Sequence, residues 1–416
     1  MIKATWNRMK YAAAGLGLAA AAAMAGTAGA QMGEAAGFAE LMQHDYLNRD
    51  MVLFAQGLDL DDGQRMILES LYEDYRAEFD AGWMEVQQRL GNLRDDLQNA
   101  DESEIMDLIL RPFENWRQEK TRIKEQFEQN VQVILNSSQL EQWPSFQRMI
   151  YREKNLHRGR LAGESVNLFN IINELRLSDR VREDLQPILT RYENELHEAL
   201  QRRQEVSREL QNKAFASIRQ QDRSTDAELL KREIDRRVEV RNVTDTFRDR
   251  IAEALPSDLG EDFRSRALEQ GYPRIYRPMP VTRMLRQALN LDDLDNDVRE
   301  TLSDAQASWH EELRGFNRQL LETSRSAEPR LMKNQVDVVQ ARQQGERIDR
   351  MTDPANEILA SRNERGRHYL SLLTDTLTPE QLQQIPAARS VVGEAAPSRR
   401  GADSTRPQRP TRGGGR

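Results

Sequence analysis

The side chains best suited to chemistry are five histidines scattered among many acidic residues: His44, His157, His197, His310 and His368. Glu193 and His197 lie four residues apart, as do Glu40 and His44, so each pair would share one helical face and offer two metal ligands. Such pairs arise often by chance among 68 acidic residues, and we favour a solvated charged face. The sequence therefore predicts no metal site and no cofactor.

Catalytic motifs are incomplete. His310-Glu311-Glu312 begins like the metal-binding helix of a zincin, but Arg314 occupies the position of the second histidine. No histidine has Glu three residues before it, and the chain lacks both a Gly-rich phosphate loop and a Gly-x-Ser-x-Gly elbow. The absence of cysteine also excludes thiol catalysis and thiolate metal sites. We therefore predict that the protein is not an enzyme.

The first thirty residues predict export. Basic residues such as Lys3 and Arg8 precede an alanine-rich apolar run, and Ala28-Gly29-Ala30 supplies the small residues of a cleavage site. These features are typical of a secretory signal peptide. We expect residues 1–30 to be removed and the protein to be periplasmic or secreted. An uncleaved anchor is the alternative, although the run is short for a membrane span.

Charge argues against nucleic acid as a partner. The net charge is −8, the signal peptide holds three positive charges, and residues 387–416 hold seven Arg against two acidic residues, which leaves about −16 on the part between them. A nucleic-acid-binding domain is normally basic. We expect the Arg-rich tail to be disordered and to keep the protein soluble; weak contact with an anionic membrane or envelope polymer is the alternative.

A helix-start signal occurs several times along the chain. In its fullest form, Thr378 is the N-cap, Pro379 is the first helical residue, and Gln381 closes a capping box. Leu377 and Leu382 have the spacing of a hydrophobic staple. The same signal predicts helix starts at two other places, whose residues are Leu60, Asp61 and Gln64 at one, and Leu135, Asn136, Gln139 and Leu140 at the other.

Two signals with nearly one period indicate tandem repeats. Leu-x-Leu followed by a capping residue and an acid starts at Leu58, Leu175 and Leu289, which are 117 and 114 residues apart. The closing signals at Leu135, Leu255 and Leu377 are 120 and 122 apart. Two independent markers with nearly one period indicate tandem units. We predict three units, at residues 31–158, 159–274 and 275–386, followed by the tail at 387–416.

Each unit should be a long helical hairpin. Apolar residues recur every three or four positions between the signals, as in the series Leu68, Leu71, Tyr75, Phe79 and Trp83. Polar stretches at residues 99–103 and 220–226 would be the turns, and Pro329 and Pro354 would punctuate the return helix of the third unit. We therefore predict an all-α protein in which three hairpins form an elongated, curved array.

A thin hairpin cannot cover its whole apolar stripe. The neighbouring unit or a second copy of the protein would cover part of it, so a homo-oligomer is left open. We expect most aromatic residues to form the hairpin core and some to remain on an open face. The residues of interest are Trp83, Trp116, Phe127, Trp143, Phe247, Trp309 and Phe316.

The signals resemble those of the LTXXQ-motif family, the Spy/CpxP-like periplasmic proteins. Leu377-Thr378-Pro379-Glu380-Gln381 matches the family signature, and the stretch from Leu58 to Gln64 resembles the segment that opens the family's hairpin, with Asp61 in place of Thr. The resemblance covers residues from about 50 to 386. It implies an ATP-independent chaperone or an envelope-stress modulator that holds clients on a concave helical face.

Our interpretation is therefore a protein that binds other proteins. The first alternative is a structural or scaffolding protein of the envelope with fixed partners. The second is a metal-responsive sensor, although the His-rich segments by which some relatives bind metals are not in this sequence. The signal residues themselves are expected to cap helices and not to contact clients.

Overall fold

The computed structural model describes residues 41–99, 102–220 and 226–388. These residues form helices joined by turns and short irregular segments, with no β-strand among them, so the predicted all-α class is confirmed. The proposed signal peptide, and the tail from residue 389 onward, lie outside the described ranges. None of the described helices combines the length and apolar character that a membrane span requires.

The helices follow in chain order: α1 (Asn48–Gly57), α2 (Asp62–Asn99), α3 (Glu102–Val133), α4 (Ser137–Asn155), a 3₁₀ turn (Leu156–Arg158), α5 (Leu168–Glu174), α6 (Asp179–Gln220), α7 (Ala227–Ala254), α8 (Ser257–Gly271), α9 (Pro273–Tyr276), α10 (Pro280–Leu289), α11 (Asn296–Gln343), α12 (Ala355–Thr376) and α13 (Pro379–Gln384).

The chain divides into two compact units. Of the described residues, unit 1 comprises those up to Pro273 together with Ser324–Asp353, and unit 2 comprises Arg274–Thr323 together with those from Pro354 onward. The long helix α11 contributes its first part to unit 2 and its second part to unit 1. The division into three tandem repeats stays a prediction.

In unit 1, helices α2 and α3 form a long hairpin that α1 and α4 join at its base. Helix α2 ends at Asn99 and α3 begins at Glu102, and residues 100 and 101 of the predicted polar turn lie outside the described ranges. Pro112 lies within α3 without interrupting it. Aromatic rings fill the seam: Phe79 contacts Trp116 edge-to-face at 5.0 Å, and Tyr75 lies 5.2 Å from Phe127 between ring centroids. Such pairs stabilise packing beyond the apolar area that they bury.

A second hairpin of unit 1 is formed by α6 and α7, with α5 and α8 packed against it. Asp226 accepts a hydrogen bond from the Leu229 amide at 2.9 Å and so caps α7, directly after the predicted polar turn. Leu196, Leu200 and Phe247 are buried in its core.

The second part of α11 lies against α7 in unit 1. Lys333 and Asp235 are 2.6 Å apart, and Lys231 lies 2.8 Å from Asp337. The sequence interpretation of Pro329 was wrong, because this proline lies inside the outgoing helix and not on a return helix. Helix α11 instead ends at Gln343 and is followed by a Schellman-type turn at Gly345, in which the Glu346 amide donates to the Ala341 carbonyl at 2.7 Å.

Unit 2 packs α10, the first part of α11, α12 and α13 around a small core. Trp309 is fully buried and donates from Nε1 to Thr282 Oγ1 at 2.8 Å. The Arg362 guanidinium, also buried, donates to the Ile275 carbonyl at 2.9 Å. Ala388 is buried as well, and Ala387 packs partly against the core. The first two residues of the predicted tail therefore belong to the packed part of the chain.

A tight loop precedes α5, and one glycine determines its path. Gly163 has a φ of 82°, a conformation that L side chains rarely adopt, and a Cβ there would lie 2.5 Å from Tyr272 Oη. The Gly163 amide donates to the Gly271 carbonyl at 2.8 Å, and Tyr272 Oη donates to Asp245 Oδ2 at 2.8 Å. The loop is thus fixed to α8 and α7.

Gly163→Ala should destabilise the protein by roughly 2–4 kcal/mol, because it combines left-handed backbone strain with a steric clash. Gly345→Ala is the matched control: its φ is 79°, but nothing lies within 4 Å of its Cβ position, so only the strain of about 1–2 kcal/mol applies. Urea denaturation followed by circular dichroism would measure both. Equal losses in the two variants would contradict the role given to the Tyr272 contact.

Candidate functional site

The predicted helix-start residues of the first hairpin form two capping boxes. Asp61 Oδ1 accepts from the Gln64 amide at 2.9 Å, and Gln64 Oε1 accepts from the Asp61 amide at 3.1 Å. At the start of α4, Asn136 Oδ1 accepts from the Gln139 amide at 3.0 Å, and Gln139 Oε1 accepts from the Asn136 amide at 2.9 Å. Each box satisfies backbone amides that a helix start leaves unpaired.

The glutamines of these two boxes also bind each other. Gln64 Nε2 donates to Gln139 Oε1 at 2.8 Å, and Gln139 Nε2 donates to Gln64 Oε1 at 2.9 Å. The remaining hydrogen of each amide group donates to a loop carbonyl on the other side, Ile134 at 2.7 Å and Asp59 at 3.1 Å. Both side-chain amides therefore use their full hydrogen-bonding capacity. This reciprocal amide pair ties the start of α2 to the α3–α4 junction.

In unit 2 the capping-box glutamine, Gln381, binds the opposite loop, but no second glutamine among the described residues binds it in return. Thr378 Oγ1 accepts from the Gln381 amide at 3.3 Å, Gln381 Oε1 accepts from the Thr378 amide at 3.0 Å, and Gln381 Nε2 donates to the Asp293 carbonyl at 3.1 Å. The prediction that Asp292 caps the following helix was wrong, because α11 begins at Asn296. The opening segment here has no glutamine with which to return the bond.

The leucines of the three signals differ in burial. Leu60, Leu135 and Leu377 are buried, and Leu382 packs partly against the unit 2 core. Leu140 is 43% exposed, so it adds little to the core of the first hairpin. Pro379 is the first residue of α13, as the signal predicts.

Most of the aromatic residues of interest belong to the core. Trp83 and Phe316 are partly exposed. The five others are buried, namely Trp116, Phe127, Trp143, Phe247 and Trp309. The large apolar side chains that the described residues expose are mainly aliphatic. They are Leu47, Val52, Met66, Ile67, Met84, Val133, Leu140, Ile348 and Met351.

Residues 41–47, which we call the clamped segment, lie in irregular backbone against the first hairpin. Three side chains donate to its carbonyls: Trp116 Nε1 to Leu41 at 2.8 Å, Lys120 Nζ to Gln43 at 2.7 Å, and Lys154 Nζ to Asp45 at 2.5 Å. Two of its amides, those of Asp45 and Tyr46, donate to Tyr75 Oη at 2.9 and 3.2 Å. The segment is thus held largely by its backbone.

One side chain of the clamped segment enters an aromatic pocket. The Tyr46 ring is buried and lies 5.3 Å from both Phe54 and Phe127 between ring centroids, while its hydroxyl donates to Glu128 Oε1. Burial, followed by the Glu128 carboxylate, raises the pKa of Tyr46 well above its ordinary value. Lys154 Nζ lies 5.0 Å from the ring centroid, within the range of a cation–π contact.

The candidate metal pair Glu193 and His197 is engaged in packing. Glu193 accepts from Arg148 Nε at 3.0 Å and from Ser145 Oγ, and the His197 ring lies 5.0 Å from Tyr151. Burial lowers the pKa of His197. Glu40 lies outside the described ranges. Among the described residues, no group of three or more His or acidic residues is placed to hold a metal ion.

A buried ion cluster lies where the Gly163 loop meets the second hairpin. Glu164 is completely buried and accepts from Arg203 Nη1 at 2.6 Å, from Arg237 Nη1 at 3.1 Å, and from the amides of Arg160 and Leu161 at 2.7 and 3.0 Å. Arg237 also pairs with Glu233. Charged side chains can be buried in this way because each of them has a partner of opposite charge. The cluster reads as structural and not catalytic.

Comparison of the chain with protein-family models, with curated proteins and with solved structures finds no match. The class of protein therefore rests on the described fold and contacts alone: an all-helical protein whose helical hairpins expose aliphatic side chains and whose first hairpin holds a stretch of irregular backbone.

Replacing either glutamine of the amide pair should destabilise the first hairpin. Gln139→Ala should cost about 1–3 kcal/mol, because it removes the buried member of the pair and leaves the half-buried Gln64 amide without its partner. Gln126→Ala on the exposed face of α3 is the control and should change stability by less than about 0.5 kcal/mol. Single and double variants at Gln64 and Gln139 should show a coupling of about 0.5–3 kcal/mol in urea denaturation. Additive losses would contradict the reciprocal pair.

Glu164→Gln should destabilise unit 1 by about 3–5 kcal/mol, since it leaves the buried Arg203 guanidinium without a carboxylate and takes one of two carboxylates from Arg237. Glu209→Gln is the control, because it breaks an exposed pair with Arg232 whose nitrogen and oxygen are 2.5 Å apart, and exposed pairs are worth less than about 1 kcal/mol. Thermal denaturation would compare the two. Similar small losses in both variants would show that the Glu164 cluster is not needed for folding.

Proposed function

We propose that this protein is an exported, ATP-independent chaperone of the holdase type that binds unfolded proteins on its helical surface. In this proposal the chain is a threefold tandem of LTXXQ-like hairpins in an elongated, curved array. The exposed aliphatic side chains of the first hairpin are the observation that carries it. The Arg-rich tail serves solubility, and the partners are proteins and not nucleic acids.

Several exposed aliphatic residues surround the amide pair. Ile67 follows Gln64 by three residues on the same helical face, Leu140 directly follows Gln139, and Val133 precedes Ile134, whose carbonyl Gln64 binds. Ile67 is 48% exposed and Val133 is 83% exposed. Since the glutamine atoms are in direct contact, these side chains share one end of the hairpin. We call Met66, Ile67, Val133 and Leu140 the aliphatic patch.

The proposed second repeat has no such patch. At the spacing of 117 residues between the opening signals, Met66 and Ile67 correspond to Glu183 and Asp184, and at the spacing of 120 between the closing signals Val133 corresponds to Glu253; all three acidic residues are exposed. Leu140 corresponds to Gly260, where a Cβ would lie 2.3 Å from the Ala252 carbonyl oxygen. Because the second hairpin folds with charged residues at these positions, folding does not require aliphatic ones. A binding role for the patch explains their presence.

The rim of the patch is acidic. Four exposed acidic residues lie next to the patch in the sequence, against one exposed arginine, Arg65, which lies 3.7 Å from Asp62; the acidic residues are Asp61, Asp62, Glu69 and Glu141. Apolar side chains within a charged rim favour weak contacts with many partners, because the apolar area supplies attraction and the rim keeps the protein soluble. This combination suits reversible binding of unfolded chains.

The full chain should suppress aggregation of a reduced client protein near stoichiometric ratios without ATP, as measured by light scattering. The variant Met66→Glu/Ile67→Asp/Val133→Glu carries the residues of the second repeat and should stay folded. It should bind clients at least about tenfold more weakly, since three apolar contacts together exceed the roughly 1.4 kcal/mol of one decade.

The control is Met84→Glu, which places one acid on an exposed position of α2 outside the patch. It should suppress aggregation as the unaltered protein does. If the unaltered protein protects none of several unrelated clients, the chaperone proposal fails and a scaffolding protein with fixed partners becomes the better interpretation. If the triple variant protects as well as the control, the patch is not the binding surface.

A further inference from the structure

The contacts of the clamped segment recognise features common to all polypeptides. Trp116, Lys120 and Lys154 bind carbonyl oxygens, and Tyr75 accepts from two backbone amides. None of these five bonds depends on which side chain the segment carries. The same groups would therefore hold any chain that runs through the groove in this conformation, much as strand addition uses main-chain bonds for affinity and pockets for specificity.

Leu41 and Tyr46 supply most of the specificity, and the His44 ring adds a contact with Phe79 at 4.1 Å between ring centroids. Leu41 is buried, and Tyr46, five residues later, fills the pocket of Phe54, Phe127 and Glu128. The intervening Gln43 is exposed and His44 is partly exposed. The groove thus selects an aliphatic residue followed at a distance of five by an aromatic residue with a hydrogen-bonding tip. Rigid aromatic anchors in pockets carry much of the binding energy of protein interfaces.

The hairpin itself does not depend on the segment. Phe79 contacts Trp116, and Tyr75 contacts Phe127, directly across the seam between α2 and α3. The reciprocal pair of Gln64 and Gln139 closes the base of the hairpin without any atom of residues 41–47. The groove would therefore persist if the segment left it.

We infer that the groove lined by Tyr75, Phe79, Trp116 and Lys120 is a peptide-binding site, and that the clamped segment is its intramolecular ligand, displaced by an unfolded protein segment with an aliphatic residue and a tyrosine or phenylalanine five positions later. This inference rests on the proposed function for the nature of the competing chain. Client binding at this site would be regulated, because clients must compete with a ligand tethered to the same chain.

Tethering sets how strongly the segment competes. A ligand on the same chain has an effective concentration on the order of 1 mM. A free peptide should therefore bind the unaltered protein poorly and bind well only after the resident anchors are removed. The occupied groove would keep the aromatic surface covered in the absence of clients.

The test uses the full chain and a fluorescent peptide of residues 41–47 with blocked termini. The variant Leu41→Ser/Tyr46→Ser removes both anchors from the resident segment, and circular dichroism checks its helix content. In fluorescence anisotropy, the peptide should bind this variant at least about tenfold more tightly than the unaltered protein. Equal binding to both, or binding to neither, would overturn the inference.

Three controls address folding, specificity and the place of binding. Tyr46→Phe keeps the ring and loses only the hydroxyl bond to Glu128, so it should give intermediate binding even if the double variant unfolds. A peptide with Ser in place of Leu41 and Tyr46 should not bind. Adding Lys120→Met to the double variant removes a charged donor to the Gln43 carbonyl and should weaken binding about tenfold; unchanged binding would place the peptide elsewhere.

The result is separable from the chaperone test. If the unaltered protein suppresses aggregation but no variant binds the peptide, the inference fails and the proposed function stands. If the double variant binds the peptide but no form protects clients, the groove is a peptide site and the chaperone proposal fails. If both hold, the double variant should also suppress aggregation at a lower ratio of chaperone to client than the unaltered protein.

Discussion

The bond between two glutamine side chains holds the first hairpin together at its base. A pair of long helices has only one apolar seam, and that seam alone leaves the register between the helices weakly determined. By closing its own capping box and binding the opposite loop, each glutamine fixes where α2 starts relative to the end of α3. That register places Phe79 against Trp116 and Tyr75 against Phe127. The groove and its segment follow from this alignment.

Buried arginines are a second structural feature of unit 1, besides the pair of glutamines. The chain contains many more arginines than lysines, and several are buried in unit 1, among them Arg203, Arg237, Arg241 and Arg248. A guanidinium can reach a carboxylate and a backbone carbonyl together, as Arg203 does with Glu164 and the Asn155 carbonyl at 2.6 and 2.5 Å. Arg203 and Arg237 thus tie the loop that carries Glu164 to the long helices α6 and α7.

The helices could be predicted well because their determinants are local. Capping residues such as Asp61, Asn136 and Thr378 act within a few positions of the sequence. The third opening signal was misread because Asp292 resembles a cap, whereas the chain continues in a turn until Asn296. Pro329 was misread because a proline that one helix tolerates cannot be told locally from one that ends it.

The contacts that make the site could not be predicted. Gln64 and Gln139 are 75 positions apart, and a capping box gives no sign of a second partner. Bonds from Trp116, Lys120 and Lys154 to backbone carbonyls leave no pattern in residues 41–47, since every residue has a carbonyl. Glu164 looks like one more surface acid until the fold surrounds it with Arg203 and Arg237.

Hydrogen–deuterium exchange in the presence of a client tests the central claim most directly. The amides of Asp45 and Tyr46 donate to Tyr75 Oη in the free protein and should exchange slowly. When an unfolded client is added, our account predicts that these two amides exchange faster while the amides of α2 and α3 keep their protection. Exchange at Asp45 and Tyr46 that stays unchanged or slows with client bound would contradict it.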